Sequence, residues 1–193
     1  MKEEQHDASN SITTKGFSPK FLVDGMLGTL AVKLRILGFD SVYDKSSDDS
    51  HLLTVARKEG RYLVTSDLDL FLRARRSGED TKAVLITSVP DIDRVVELFT
   101  KLGINSIPPT FDSRCSECNG VLRLVGGKKT REGNAVYECV ECKKEYWKGS
   151  HWRKLDEFIA EANIRLRSYN ARRDSEGTFT RHEKDANISG SAV

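Results

Sequence analysis

Apolar residues come in short runs and at helical spacing, in strict alternation, between positions 20 and 102. Phe21-Leu22-Val23 is an apolar run that stops at Asp24-Gly25, the pattern of a buried strand entering a turn. Leu27, Leu30, Ala31, Leu34 and Leu37 then recur at helical spacing, and Gly38 closes the pattern. Ser41-Val42-Tyr43 predicts a second strand. Leu52, Leu53 and Ala56 predict a second helix, ended by Gly60. Tyr62-Leu63-Val64-Thr65 predicts a third strand, and Leu70, Phe71 and Ala74 a third helix ending near Gly78. Ala83-Val84-Leu85-Ile86 and then Ile92, Val95, Val96, Phe99 and Leu102 complete a fourth strand–helix pair. Alternation of this kind predicts an α/β fold, a parallel sheet flanked by helices on both faces.

Pro108-Pro109 ends the alternation. Beyond it the chain carries its four cysteines, and then Trp152, Leu155, Ile159, Ala162 and Leu166 at the spacing of a last helix. The expected organisation is a disordered tail over 1–18, an α/β domain over 19–110, a small metal module over 111–150, a C-terminal helix over 151–168 and a second disordered tail over 169–193. Both tails are polar, with few large apolar residues.

The cysteines change this picture most. Cys115 and Cys118 form one C-x-x-C, Cys139 and Cys142 form another, and 20 residues separate the pairs. Each C-x-x-C turn aims two thiolates at one point, and two such turns complete a tetrahedron, so the spacing predicts a structural zinc ion in a ribbon-like module. A disulfide framework is the competing reading. Four protein ligands leave no open position for water, so the chemistry belongs elsewhere.

Composition excludes little. Of 193 residues, 38% are hydrophobic and 31% charged, and the net charge of +2 does not by itself announce a nucleic-acid binder. Residues 19–110 hold 13 basic and 13 acidic side chains, residues 111–168 hold 12 and 9, so the basic bias of the second half is modest. No apolar run approaches the roughly 18 residues of a membrane span. The polar N-terminus does not resemble a secretory signal, and the expected location is cytoplasmic.

In a parallel sheet the strand C-termini share one edge, and ligands bind in the crevice outside it. Asp24 follows the first strand, Asp67 the third, and Asp49 opens the second helix. These three carboxylates are candidates to share that edge with a hard divalent cation, Mg²⁺ or Mn²⁺. Helix capping competes for Asp49 and Asp67, and a turn role competes for Asp24. Asp69 is a further acidic candidate that a helix dipole would also explain. Asp44 and Asp48 read as solvated loop residues. Trp147 and Trp152 read first as core and second as base-stacking platforms, and His151 reads at least as well as packing or capping as a contact to RNA or a phosphate. Gly25 and Gly28 lack the spacing of a dinucleotide fingerprint.

Three stretches together resemble a known family. They are Phe21 to Gly28 with Leu30-Ala31 and Leu34 to Asp40; Asp49 with Leu52-Leu53, Ala56 and Gly60 to Asp67; and Arg114 to Asn119 with Cys139 to Cys142 and Tyr146 to Trp152. They resemble the PIN-like RNase domains of the branch named after the C-terminal part of a Mut-class 3′–5′ exonuclease, in which a zinc ribbon follows the PIN-like domain. The resemblance implies a Mg²⁺- or Mn²⁺-dependent ribonuclease with Asp24, Asp49 and Asp67 as metal ligands and Asp69 as a possible fourth. The family often has a basic residue where this chain has Ser66. RNA is the implied partner, gripped by candidates Arg35, Arg73, Lys128, Lys129 and Arg131. The alternative is a non-catalytic RNA-binding adaptor that docks on the ribosome or another ribonucleoprotein.

Overall fold

The computed structural model describes residues 18–186 apart from 46, 79–80 and 108–112, and the side chains of 150, 151 and 173–186 are not described. Residues 1–17 of the first expected tail, 187–193 of the second, the Pro108-Pro109 break and the His151 side chain therefore lie outside the described residues, whereas 169–186, expected as disordered tail, continue the last helix.

Strands β1 (Phe21–Asp24), β2 (Ser41–Asp44), β3 (Tyr62–Thr65) and β4 (Ala83–Leu85) form one parallel sheet in the order β2-β1-β3-β4. Between and after them run α1 (Gly28–Ile36), α2 (Asp49–Glu59), α3 (Leu68–Arg76) and α4 (Asp91–Lys101). The pleat sorts side chains by parity. Phe21, Val23 and Val64 face one core, shared with Leu30 and Leu34 of α1 and Val95, Leu98 and Phe99 of α4. Leu22 and Leu63 face the other, against Leu52, Leu53 and Ala56 of α2 and Leu70 and Ala74 of α3. Each fully buried Leu or Phe contributes about 1.5–3 kcal/mol, which is why central strands β1 and β3 are apolar on both faces.

A one-turn 3₁₀ segment, Gly25–Leu27, links β1 to α1. A Cβ on Gly28 would sit 2.8 Å from the Tyr43 ring, and the Tyr43 hydroxyl donates to the Gly25 carbonyl at 3.1 Å. Gly28 is thus required for close packing against β2, not for holding a phosphate.

Beyond the sheet, β5 (Leu122–Lys129), β6 (Ala135–Cys139) and β7 (Glu145–Trp147) form an antiparallel ribbon. The last helix, α5 (Ser150–Ala186), packs Ile159, Ala162 and Leu166 into the core shared by α1 and α4. Asn163 holds the connecting chain, accepting from the Ile107 amide (2.7 Å) and donating to its carbonyl (3.0 Å). This helix runs 18 residues past position 168, where the apolar pattern places its end. The pattern marks only the length that packs on the domain; Arg, Glu and Lys continue a helix without an apolar face. Among the described residues no helix is long and apolar enough to cross a membrane.

Candidate functional site

The four thiols are where metal-ligating groups gather tightly among the described residues. Among the described residues, Cys115, Cys118, Cys139 and Cys142 alone form a set of three or more candidate donors lying within 4.8 Å of one another. Cys115 and Cys142 sulfurs are 3.5 Å apart, Cys118 and Cys139 sulfurs 3.4 Å. A disulfide would need about 2.05 Å. Tetrahedral Zn–S bonds of about 2.3 Å put sulfurs about 3.8 Å apart, so the set fits a zinc ion and not a disulfide pair.

Local backbone explains the convergence. Asn119 donates its amide to the Cys115 carbonyl, and Lys143 donates to Cys139, closing both turns. Asn119 and Lys143 take left-handed φ angles of 68° and 63°. A Cβ on Gly120 would lie 2.7 Å from the Cys139 sulfur, so only glycine lets the first turn approach it. Burial disfavours the Cys115 thiolate, but hydrogen bonds from Tyr146 and from the backbone at Cys118 and Glu117 outweigh it, and its pKa falls to about 6. A backbone hydrogen bond from Gly120 favours the Cys118 thiolate, yet burial and the neighbouring sulfurs prevail and push it up to about 12. Crowded thiolates repel, and a cation is what allows all four to ionise together.

This module is clamped to the parallel sheet. Arg35, a phosphate-gripping candidate from sequence, is instead 7% exposed. Its guanidinium donates to the carbonyls of Ser41 (2.8 Å), Ser116 (2.9 Å) and Glu117 (2.9 Å), joining α1, β2 and the first cysteine turn. The Arg114 amide and Ser113 hydroxyl in turn donate to the last carbonyls of α1, Arg35 and Ile36. Asn119 donates to Asp40 (2.8 Å) and accepts from the Ser41 amide (3.0 Å). Arg61 completes the joint with an ion pair to Asp40 at 2.7 Å. Burial works against the Asp40 carboxylate, but the Arg61 and Asn119 hydrogen bonds outweigh it and hold its pKa below the usual range.

All these contacts lie where the strands begin. The candidate carboxylates lie where the strands end. Asp24 makes no capping bond to the 3₁₀ turn; its carboxylate accepts from Thr65 Oγ1 across the sheet at 2.7 Å. The Asp67 amide donates to the same Thr65 oxygen at 2.9 Å. Asp67 caps α3, with Oδ1 accepting from the Asp69 (2.7 Å) and Leu70 (3.1 Å) amides. The N-cap of α2 is Asp48, accepting from the His51 amide at 2.9 Å, so Asp49 is not the cap. Asp49 pairs with Arg73 at 2.5 Å. Asp69 is exposed in the first turn of α3.

Asp24, Asp49 and Asp67 therefore occupy one edge without gathering as closely as the cysteines. Sequence reading placed Asp44 in a solvated loop, but it ends β2 in register with Asp24 and accepts from Ser47. The signal for it was an Asp closing a strand, the same signal Asp24 gives. Glu97 was missed altogether: from α4 it accepts from the amides of Thr87 and Ser88 just past β4.

Of the other basic candidates, Lys128 pairs with Glu145, while Lys129 and Arg131 are exposed on the β5–β6 hairpin. Trp147, expected in the core, is 51% exposed.

In comparison with known proteins, the Mut7-C RNAse domain family matches residues 19–159, a span from the residue before β1's lead-in through the ribbon and into α5. No curated protein and no solved structure matches the chain. An RNase domain points to a ribonuclease-type function with RNA as substrate. The match covers well over half of the 193 residues and takes in both the parallel sheet and the four cysteines, and the chain belongs to the Mut7-C RNAse domain family.

Proposed function

We propose that the protein is a PIN-like, Mg²⁺- or Mn²⁺-dependent ribonuclease working at the sheet edge marked by Asp24, Asp49 and Asp67, with Asp69 beside them, and that its four cysteines hold a structural Zn²⁺. One observation carries the reading beyond the family match: Thr65 Oγ1, fully buried, ties the Asp24 carboxylate to the start of the Asp67 loop at the ends of two adjacent parallel strands. A hydroxyl in that place orients a carboxylate as outer partners orient metal ligands.

The residues present suit a hard cation. Asp24 accepts from Thr65 through Oδ2 and Asp67 caps through Oδ1, so each has a second oxygen outside those bonds. Asp49 would have to exchange Arg73 for the cation. When bound, a divalent cation supplies a polarised water and neutralises charge growing on the departing 3′ oxygen. The chain's own tasks are to fix Asp24 through Thr65, to hold the Asp67 loop on the same hydroxyl, and to present Arg73 beside Asp49 for a phosphate oxygen.

A second reading has one observation in its favour. Thr65, the α3 amides and Arg73 each engage one oxygen of an aspartate within the protein, as expected of an RNA-binding adaptor without catalysis. Labelled single-stranded and structured RNAs incubated with Mn²⁺ or Mg²⁺ decide between them. Asp24→Asn and Asp67→Asn are expected to cut the cleavage rate by about 100-fold or more. Equal cleavage by both variants and wild type refutes the site; tight binding with no cleavage by any of them favours the adaptor.

A further inference from the structure

Where the ribbon, the C-terminal half of α1 and the start of α5 meet, a cavity of about 410 Å³ opens to solvent. Five aromatic side chains line it: Tyr137 and Tyr146 from the ribbon, Trp147 at its end, and Trp152 and Phe158 from α5. Tyr146 is held by contacts to the Cys115 sulfur (3.0 Å) and Ser116 hydroxyl (3.3 Å), so this wall is fixed by the metal module itself. Trp147 is positioned by a tight reversal of the chain. The Gly149 amide donates to the Trp147 carbonyl at 3.0 Å, and a Cβ on Gly149 would lie 3.1 Å from the indole nitrogen.

Lys33, Arg114, Lys148 and Lys154 also line the cavity, and among the described residues no lining side chain is acidic. Lys33 lies 4.9 Å from the Phe158 ring centroid and Lys148 lies 5.2 Å from that of Trp152, so cations already sit over the aromatic faces. This combination selects among occupants. An aliphatic ligand has no use for four cations, and a basic partner would be repelled. An unpaired base offers a π-face to the aromatic rings, and its flanking phosphates offer charge to the cations.

We propose that this cavity binds an unpaired nucleobase of single-stranded RNA, with Trp147 stacking on the base and Lys154 contacting a flanking phosphate. The proposal rests on RNA being the substrate and adds where RNA is held. The cavity lies toward the beginning of the strands, away from the Asp24 edge, and Lys128, Lys129 and Arg131 take no part in it.

The test uses the full chain with Asp24→Asn in the background, so that binding is read without cleavage. A fluorescent oligouridylate of about 12 nucleotides, within the usual single-strand site sizes, is titrated by anisotropy at several salt concentrations. Trp147→Ala is expected to weaken binding about tenfold, Trp147→Phe to retain most of it, and Lys154→Glu to weaken it and flatten the salt dependence. Both positions are exposed, and equal thermal melts check that the fold is kept. Affinity unchanged in Trp147→Ala overturns the proposal, as does duplex RNA binding as well as the single strand, or displacement of the oligomer by an acidic polypeptide at equal charge. Trp147-dependent binding without cleavage by wild type would refute the nuclease and keep the cavity. Normal cleavage with Trp147-indifferent binding would do the reverse.

Discussion

At the ribbon end, four thiols lie within 4.8 Å of one another, drawn together by backbone turns and by a glycine that admits the Cys139 sulfur. At the other end, Asp24, Asp49 and Asp67 share an edge but turn to separate protein partners: a hydroxyl, a helix N-terminus and an arginine. The contrast separates two ways of placing negative charge. Ligands carried on rigid turns are gathered by the fold. Carboxylates on flexible side chains are soothed by local donors until a stronger cation competes. The ribbon therefore gathers its candidate ligands through the backbone, while the sheet edge proposed above as a cation site has Thr65 as its fixed point.

The strongest way to break this contrast is at the cysteines. Cys139→Ala removes a fully buried thiol of the four proposed to hold zinc. Loss of a structural metal belongs to the few mutations that cost about 4 kcal/mol or more. The variant is expected to lose bound zinc and the protection of β5–β7 amides from exchange, while β1 and β3 amides stay protected. Stoichiometric zinc in the variant, with an unchanged melt, would show that the cysteines are not a closed site.

Arg35 tests the joint between the two ends. Arg35→Met keeps the side chain's bulk and removes three carbonyl bonds. Hydrogen bonds to charged groups contribute about 1.5–3 kcal/mol each in isolation, so a loss of about 3 kcal/mol in denaturant melts is expected. The salt dependence of RNA binding should stay as in wild type. A flattened salt slope with unchanged stability would return Arg35 to the phosphate-binding role its sequence suggests.

Which parts of this were legible from sequence follows from range. Apolar parity and helical spacing report local geometry, so four strands and their helices could be read residue by residue from Phe21 to Leu102. The cysteine spacing is also local to each turn. What sequence could not show was long-range partnership. Nothing near Arg35 indicates that its guanidinium meets carbonyls 81 and 82 residues away. The sequence reads Asp49 as the cap and Asp48 as a solvated loop residue, whereas the backbone at 48, extended at φ −71° and ψ 161°, makes Asp48 the cap. Trp147 looks like core because large aromatics usually are; its place beside a cavity needs three separate elements to meet. The convergence of Asp24 and Asp67 was readable only as a shared edge, since their common partner Thr65 is a consequence of strand register.

Thr65 sharpens the sheet edge's side of that contrast. Thr65→Val keeps the shape and deletes the hydroxyl shared by Asp24 and the Asp67 amide. Partners that orient metal ligands typically contribute 10–100-fold in affinity or activity, about 1.4–2.7 kcal/mol. Cleavage and Mn²⁺ affinity, measured by calorimetry, are expected to fall together within that range. A variant that only melts earlier, with Mn²⁺ affinity and rate intact, would reduce Thr65 to a structural hydrogen bond.

The last expected effect concerns Glu97, an edge carboxylate engaged by three residues of the protein. It accepts from Thr87, Ser88 and Lys101 with its side chain 14% exposed. Burial works to raise its pKa, but the Lys101 and Ser88 hydrogen bonds prevail and hold it down at about 2, against an ordinary 4.5. A depressed carboxylate pKa stabilises the folded state above the unfolded value and loses that contribution as pH falls through the folded one. Glu97→Gln should therefore cost on the order of 2 kcal/mol at pH 7. The difference should begin to shrink below about pH 4.5 and vanish near pH 2. Because acid also protonates the cysteines, the quantity to plot is wild type minus variant, in which the zinc contribution cancels. A gap that stays constant down to pH 3 would mean the Glu97 carboxylate is no more at home in the fold than in water. Glu97, absent from the sequence reading, would then not be a carboxylate held firmly by the protein alone.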